Sequence, residues 1–359
     1  MRILQLIDSL ESGGAERMAV NYANALAGQI SFSGLIATRK EGTLLNQLHP
    51  GISYLFLNKK RRIDFNALFK LRLYIKQNKV TIIHAHGTSF FLAFLLKATY
   101  PSVQLIWHDH YGDSEFLSKR PLAALKVILP FFNGIISVNQ KLKIWASEKL
   151  KFSNTIYLPN FPSEKNSVDQ RTVLEGEDSK RIVCLANLRE QKNHFLLLEV
   201  AMKVKVTHPD WTFHLVGKDF NDGYAAQIRH LIGKNNLGKK VFLYGSREDI
   251  KNILQQSTIA VLSSQSEGLP LALLEYGLAK KPVVVTAVGE ISSVVQNGKN
   301  GFLVASQSVE AFYEAIVYLI ENETLRTNFG NELYATIKKE YSEEGVLQMY
   351  LNWLQKNCK

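Results

Sequence analysis

Short apolar runs alternate with longer stretches of helical period along nearly all of this 359-residue chain, and that alternation limits the possible folds more than any single motif. Runs at 2–7, 31–37, 52–57, 80–84, 103–108, 134–138 and 155–158 read as strands, with helices at 15–27, 65–77, 89–98 and 140–150. A second series gives strands at 181–186, 211–216, 240–244, 258–262, 282–286 and 301–304. Its helices are predicted at 194–207, 223–236, 249–255, 269–279, 309–321, 323–338 and 343–355. Such alternation implies parallel βαβ units. Residues 163–180, between the two series, are polar, charged and aperiodic, as in a linker. The predicted class is α/β: two doubly wound, Rossmann-like domains, residues 1–165 and 166–340, facing each other across a cleft at the carboxyl ends of their strands.

At 46% hydrophobic and 21% charged, the chain has the composition of a globular protein with enough length for two cores. Two cysteines, Cys184 and Cys358, provide neither a disulfide framework nor a thiolate metal cluster. The first strand meets Asp8 too early for a signal peptide, and no apolar run is long enough to span a bilayer. The expected compartment is the cytoplasm.

Net charge is +11, and all of the excess lies in the first half: residues 1–165 hold 21 basic and 10 acidic residues, and the remainder 22 of each. A basic half suits nucleic acid or an anionic membrane surface. Lys59-Lys60-Arg61-Arg62 is the densest basic run and precedes an amphipathic pattern at 63–72; Lys119-Arg120 precedes an apolar run at 121–132. Basic residues beside apolar ones read as an interfacial element, which predicts peripheral association with the inner membrane surface. A nucleic-acid-binding protein would interleave aromatics with its basic patch or carry a recognisable motif, and neither is found.

The richest stretch is 263–277. A buried strand ends near Leu262, a polar turn carries Glu267, and a helix opens at about Leu269 with Pro270 in its first turn and Glu275 near its second. Helix-start N–H groups and the dipole make an anion site. Two carboxylates beside it suit a ligand with both phosphates and hydroxyls, as in a nucleotide sugar. The plainer alternative is a capped surface helix with Glu275 merely solvated.

The chain from Ser264 to Val304 resembles the donor-binding segment of the retaining glycosyltransferases of family 4, whose pattern is Glu, seven residues, Glu. Here it is Glu267-(Gly-Leu-Pro-Leu-Ala-Leu-Leu)-Glu275, followed by Lys281-Pro282-Val283-Val284, Gly289 and Asn297-Gly298-Lys299-Asn300-Gly301-Phe302-Leu303-Val304. The resemblance runs over nearly the whole chain. It implies the GT-B architecture, with a last helix, 341–359, that crosses back to the first domain. It also implies that Glu275 binds the ribose and Glu267 the hydroxyls of the donor sugar.

In the family an arginine and, five residues later, a lysine neutralise the donor diphosphate. Lys192 holds the lysine position, Asn187 stands at the arginine position, and Arg189 is displaced by two. Residues two apart on an extended segment share a face, so Arg189 can substitute if the backbone stays extended. Gly13-Gly14 lacks the third glycine of a dinucleotide fingerprint, but the matching family loop faces the donor phosphates or the acceptor. Gly217 follows a strand, as does the turn with Ser246 and Arg247, which resembles the family's base-binding turn.

The family's functional histidine matches His108, with His110 the near alternative; Asp109 would orient either ring or bind acceptor hydroxyls. His84 and His86 could chelate a metal from one side of an extended segment. No further ligand cluster accompanies them in the sequence, so they read as structural. The resemblance therefore implies no metal and no resident cofactor. Its co-substrate is a UDP- or GDP-linked sugar, whose leaving diphosphate is stabilised by Lys192, Arg189 and the N–H groups near Gly268-Leu269. The expected reaction is retaining transfer to a saccharide or polyprenyl-diphosphate-linked acceptor, in the synthesis of a bacterial capsule, O-antigen (lipopolysaccharide) or exopolysaccharide. A nucleotide-sugar epimerase of the same fold is the nearest rival and would need no acceptor.

Overall fold

The structure, a computed structural model, describes residues 1–163 and 172–358. The first strand, β1 (Arg2–Ser9), has Ile3, Leu4 and Leu6 fully buried and is an interior strand of a parallel sheet. After it come α1 (Gly14–Leu26), β2 (Phe32–Lys40), β3 (Ser53–Phe56), α2 (Phe65–Gln77), β4 (Ile82–His86), α3 (Phe90–Thr99) and β5 (Gln104–Asp109). Then come α4 (Ala123–Ile128), β6 (Gly134–Ser137), α5 (Gln140–Lys149) and β7 (Thr155–Tyr157). The strand order is β3-β2-β1-β4-β5-β6-β7. It reverses between β1 and β4, the point at which such sheets bind ligands beyond their strand ends. Side-chain caps start two of these helices: Asp64 accepts from the Ala67 N–H and Asn139 from the Leu142 N–H.

A second unit repeats the plan. It contains β8 (Arg181–Leu185), α6 (His194–Thr207), β9 (Thr212–Val216), α7 (Gly223–Lys234), β10 (Val241–Gly245), α8 (Ile250–Gln256) and β11 (Ile259–Leu262). It continues through α9 (Leu271–Leu278), β12 (Val283–Thr286), α10 (Ile291–Val294), β13 (Phe302–Val304), α11 (Val309–Glu321) and α12 (Glu323–Glu340). Its parallel sheet has the order β10-β9-β8-β11-β12-β13, with the reversal between β8 and β11. The last helix, α13 (Glu343–Asn357), belongs to the first unit. Tyr350 is fully buried there, its ring 5.0 Å from that of Tyr22 on α1. Trp353 fills the space that a side chain at Gly134 would need.

Several boundaries differ from those expected of the sequence, for identifiable reasons. The helix predicted from 269 opens at Leu271, with Pro270 extended before it (φ −70°, ψ 122°). A residue preceding proline is held out of the α region, so Leu269 stays in the turn. The strand predicted at 80–84 ends two residues later, which puts both His84 and His86 inside β4. Helices α4 and α10, of six and four residues, are too short to show a period.

The domain boundary at 165 and linker residues 164–171 lie outside the described residues. Residues 172–175 are tied to the second unit, whereas 176–179 are exposed as a linker would be. Thr172 is bound through N–H and hydroxyl to Asp249, Leu174 N–H donates to Gln256, and Glu175 N–H donates to the Tyr244 hydroxyl. Among the described residues no helix is long and apolar enough to cross a membrane.

Candidate functional site: a zipped loop block and a histidine ladder

In the second unit the loops after β8, β11 and β12 are fastened into one block. Gln265 N–H donates to the Gln191 carbonyl at 2.8 Å, and Gln191 Nε2 donates to the Ser266 carbonyl at 2.8 Å. Ser263 Oγ donates to the Lys192 carbonyl and Thr286 Oγ1 to that of Ser264. Gly289 has φ +56°, and any Cβ there would collide with the Glu267 carbonyl oxygen; Glu290 N–H donates to Gly268. The backbone polar groups of the 263–268 turn are thus held by their neighbours, and the turn keeps one shape.

Lys192 Nζ meets Glu267 Oε1 within that block at 2.5 Å, and Ser264 Oγ donates to the same oxygen at 2.6 Å. The Glu267 side chain is only 5% exposed. A carboxylate buried to that degree needs such partners. Glu275 stands on the second turn of α9 and is partly exposed. The neighbouring Tyr276 is fully buried; its hydroxyl accepts from Leu185 N–H at 2.7 Å and donates to the Val261 carbonyl, which ties α9 to β8 and β11. Gly268 and Leu269 are buried in the same turn.

Other residues expected at a donor site are engaged differently. Asn187 Oδ1 caps the Lys218 N–H at 2.7 Å, and Gly217 lies so close to the Ala186–Asn187 backbone that a side chain could not fit. Both join β8 to β9. Arg189 is extended as required (φ −136°, ψ 147°), but its guanidinium lies over Phe220, 4.6 Å from the ring centroid. It lines an open depression with Glu190, Phe220, Asp222, Gly223 and Tyr224. Ser246 and Arg247 come after β10, where Arg247 Nη1 donates to the Ser246 carbonyl and the preceding Gly245 accepts from Gly217 N–H.

In the first unit, parallel pairing of β4 with β5 brings four histidines into one stack. His84 Nε2 lies 3.1 Å from His108 Nδ1, and His86 Nδ1 lies 3.0 Å from His110 Nε2. Tyr350 from α13 reaches His84 Nδ1 at 3.1 Å, and Gln5 Oε1 on β1 accepts from His86 Nε2 at 2.8 Å. Burial depresses the pKa of all four below the usual histidine range, that of His110 to about 3, so all are neutral. His84, His86 and His108 offer ring nitrogens within 4.8 Å of one another and could approach a metal ion, at the cost of the hydrogen bonds that now join the rings. The sequence shows no such cluster because 24 residues separate the two pairs. Two His-x-His segments ending adjacent parallel strands are the signal it does carry.

The ladder's two ends differ. His108 is 1% exposed and its Nε2 is buried without a partner, whereas His110 retains some exposure. Asp109 is held at both oxygens by Arg120, at 2.6 and 2.8 Å, and that guanidinium is sandwiched by Tyr111 and Trp145. The pair is nearly inaccessible, so Asp109 is an internal clamp; this corrects its assignment to acceptor hydroxyls. Gly13 is extended just before α1, has no side-chain cap, and precedes Gly14, which has open space around it.

The basic run also needs correction. Lys59 is 6% exposed and donates its N–H to Thr38, whereas Lys60, Arg61 and Arg62 are exposed. The helix after them, α2, is more apolar on its outer face than the sequence suggested. Phe65 is 79% and Phe69 64% exposed, with Leu73 exposed on the same stripe, while Ala67, Leu71 and Ile75 face the core.

Two parallel-sheet units of this topology define a GT-B glycosyltransferase fold. Residues 12–161 match the family described as "Glycosyltransferase Family 4", and residues 166–336 match "Glycosyl transferases group 1". The chain belongs to the glycosyltransferases built from these two domains. A poly(ribitol-phosphate) alpha-N-acetylglucosaminyltransferase of Staphylococcus aureus is 25% identical over 84% of the chain; the match spans 61% of that relative's length. An Escherichia coli UDP-Gal:alpha-D-GlcNAc-diphosphoundecaprenol alpha-1,3-galactosyltransferase is 25% identical over 87% of the chain and 86% of its own. The S. aureus TarM structure in complex with fondaparinux, alpha-GlcNAc-glycerol and UDP superposes with a TM-score of 0.81 at 16% identity, covering 98% of this chain and 99% of that one. At that identity the likeness shows the fold.

Proposed function

We propose that this glycosyltransferase moves a sugar, with retention and without a metal, from a UDP- or GDP-linked donor to a saccharide or lipid-linked saccharide during bacterial surface-polysaccharide synthesis. The observation that carries the reading is the Lys192–Glu267 pair, held in a fixed turn just before α9 with Glu275 on that helix. A cation and a carboxylate side by side match a phosphate next to a sugar ring. Lys192 takes the diphosphate oxygens, Glu267 the sugar hydroxyls and Glu275 the ribose. His110, the partly exposed end of the ladder, faces a substrate hydroxyl. The C1–O bond to the diphosphate breaks and a C1–O bond to the acceptor forms on the same face. The acceptor proton passes to a leaving phosphate oxygen, so no protein nucleophile is needed. Lys192 stabilises the charge that develops on that group.

The named acceptor of the E. coli relative is diphosphoundecaprenol-linked, and the outer stripe of α2 supports a membrane-borne acceptor here too. Phe65, Phe69 and Leu73 flanked by Lys60, Arg61, Arg62 and Lys70 suit the headgroup region of an anionic bilayer. The test is to incubate the purified chain with UDP- and GDP-sugars and saccharide or lipid-linked acceptors, then determine the product's anomeric configuration by NMR. An inverted linkage, or free epimerised sugar formed without any acceptor, would overturn the reading.

A further inference from the structure

The histidine ladder contains two chains of hydrogen bonds, and one begins at the Gln5 amide, whose oxygen faces His86. Gln5 Oε1 can only accept, so His86 Nε2 must carry the proton of that 2.8 Å bond. A neutral imidazole has one N–H, which leaves His86 Nδ1 as an acceptor. Its partner at 3.0 Å, His110 Nε2, must then be the donor. The His110 proton is thereby fixed on Nε2, and Nδ1 is left as a lone pair with no protein partner among the described residues. Gln5 Nε2 is buried without a hydrogen-bond partner, so the amide orientation rests on the 2.8 Å contact of its oxygen with His86. The second chain, Tyr350 to His84 to His108, ends inside the protein at an unpartnered Nε2.

We propose that Gln5 and His86 are positioning residues that lock His110 in its Nε2–H form, presenting Nδ1 to a substrate hydroxyl as a hydrogen-bond acceptor. This rests on the assignment of His110 to the reaction made above. The opposite amide orientation would reverse every proton in the chain and make Nδ1–H a donor, so the two arrangements recognise different groups: a hydroxyl proton in one case, a hydroxyl or carbonyl oxygen in the other. The depressed basicity of His110 fits an acceptor that orients a hydroxyl without removing its proton.

The decisive measurement is the histidine tautomer. In the 15N-histidine-labelled full chain, long-range 1H–15N correlation spectra, assigned with a His110→Gln variant, should show His86 and His110 protonated at Nε2. Gln5→Met removes the acceptor and should give a mixed tautomer, with kcat lowered about fivefold to tenfold and donor KM unchanged. Protonation of His110 at Nδ1 in the unaltered protein would overturn the proposal, as would a Gln5→Met variant with an unchanged tautomer. His110→Ala with full activity would instead remove His110 from the reaction, whatever its tautomer.

Discussion

Lys192 and Glu267, 75 positions apart in sequence, share a 2.5 Å contact that Ser264 completes from the other side of the same carboxylate oxygen. Neither charge is free to wander, because the backbone of each belongs to the same hydrogen-bonded block. If Lys192 stabilises a leaving diphosphate, Lys192→Met should lower kcat by about 10²–10³-fold, as loss of an electrostatic stabiliser does. Steady-state transfer assays would measure this. A variant with ordinary kcat would assign Lys192 to structure alone.

Gly289 makes a sharper structural prediction. Its φ of +56° already disfavours a side chain, and a Cβ would meet the Glu267 carbonyl. Gly289→Ala should destabilise the fold by more than about 1 kcal/mol and weaken donor binding, since it displaces the turn that holds Glu267. Denaturant midpoints and donor-induced thermal shifts, compared with Gly298→Ala, report both effects. Gly298 also has positive φ (+74°) but open space around it, so it controls for backbone strain alone.

The histidine ladder predicts sensitivity to acid. His84, His86, His108 and His110 have folded pKa values below their unfolded value near 6.5. The unfolded chain therefore binds more protons as pH falls. The stability contributed by the neutral rings is complete above pH ~6.5 and is lost progressively below it, by up to about 1.4 kcal/mol per pH unit for each histidine. Urea midpoints should fall steeply between pH 7 and 5. A flat profile over that range would contradict the buried, neutral ladder.

Membrane association should depend on α2. Replacing Phe65 and Phe69 with serine, or Lys60, Arg61 and Arg62 with serine, should each reduce co-sedimentation with anionic vesicles, and only the contribution of the basic residues should weaken with salt. Changing Lys59 should instead lower stability, because that lysine is buried. Binding that ignores all of these changes would assign the stripe another role.

Metal independence is checked directly. Transfer activity should survive exhaustive chelation. Loss of activity, with rescue by a divalent ion, would bring His84, His86 and His108 back as ligands.

Much of the fold was legible because its strands are short, buried and regularly separated, and α6 and α11 begin and end where their periodicity does. What the sequence hides is how side chains are used. Lys59 and Lys60 are adjacent and chemically identical, yet one is buried and the other exposed. Asn187 was marked by its place at the family's arginine position and Asp109 by its place beside the matching histidine, and neither signal reveals the long-range partners, Lys218 and Arg120, that the fold gives them. The exposed aromatics of α2 were legible only as an amphipathic pattern, since periodicity alone does not say which apolar face meets the core. The ladder needed the β4–β5 register, which no local pattern encodes.

The placement of α13 has a consequence for biosynthesis. Tyr350 and Trp353 on α13 are packed into a unit that otherwise comprises only residues 1–163 and the segment around that helix. On the ribosome, the opening half of the polypeptide emerges long before the segment that completes its interior. It must wait, with Tyr22 and His84 lacking their final neighbour, while the whole of the second unit, Glu164–Ser342, is translated. Premature termination just ahead of Glu343 would thus damage the earliest-made part of the chain and spare the part made after it.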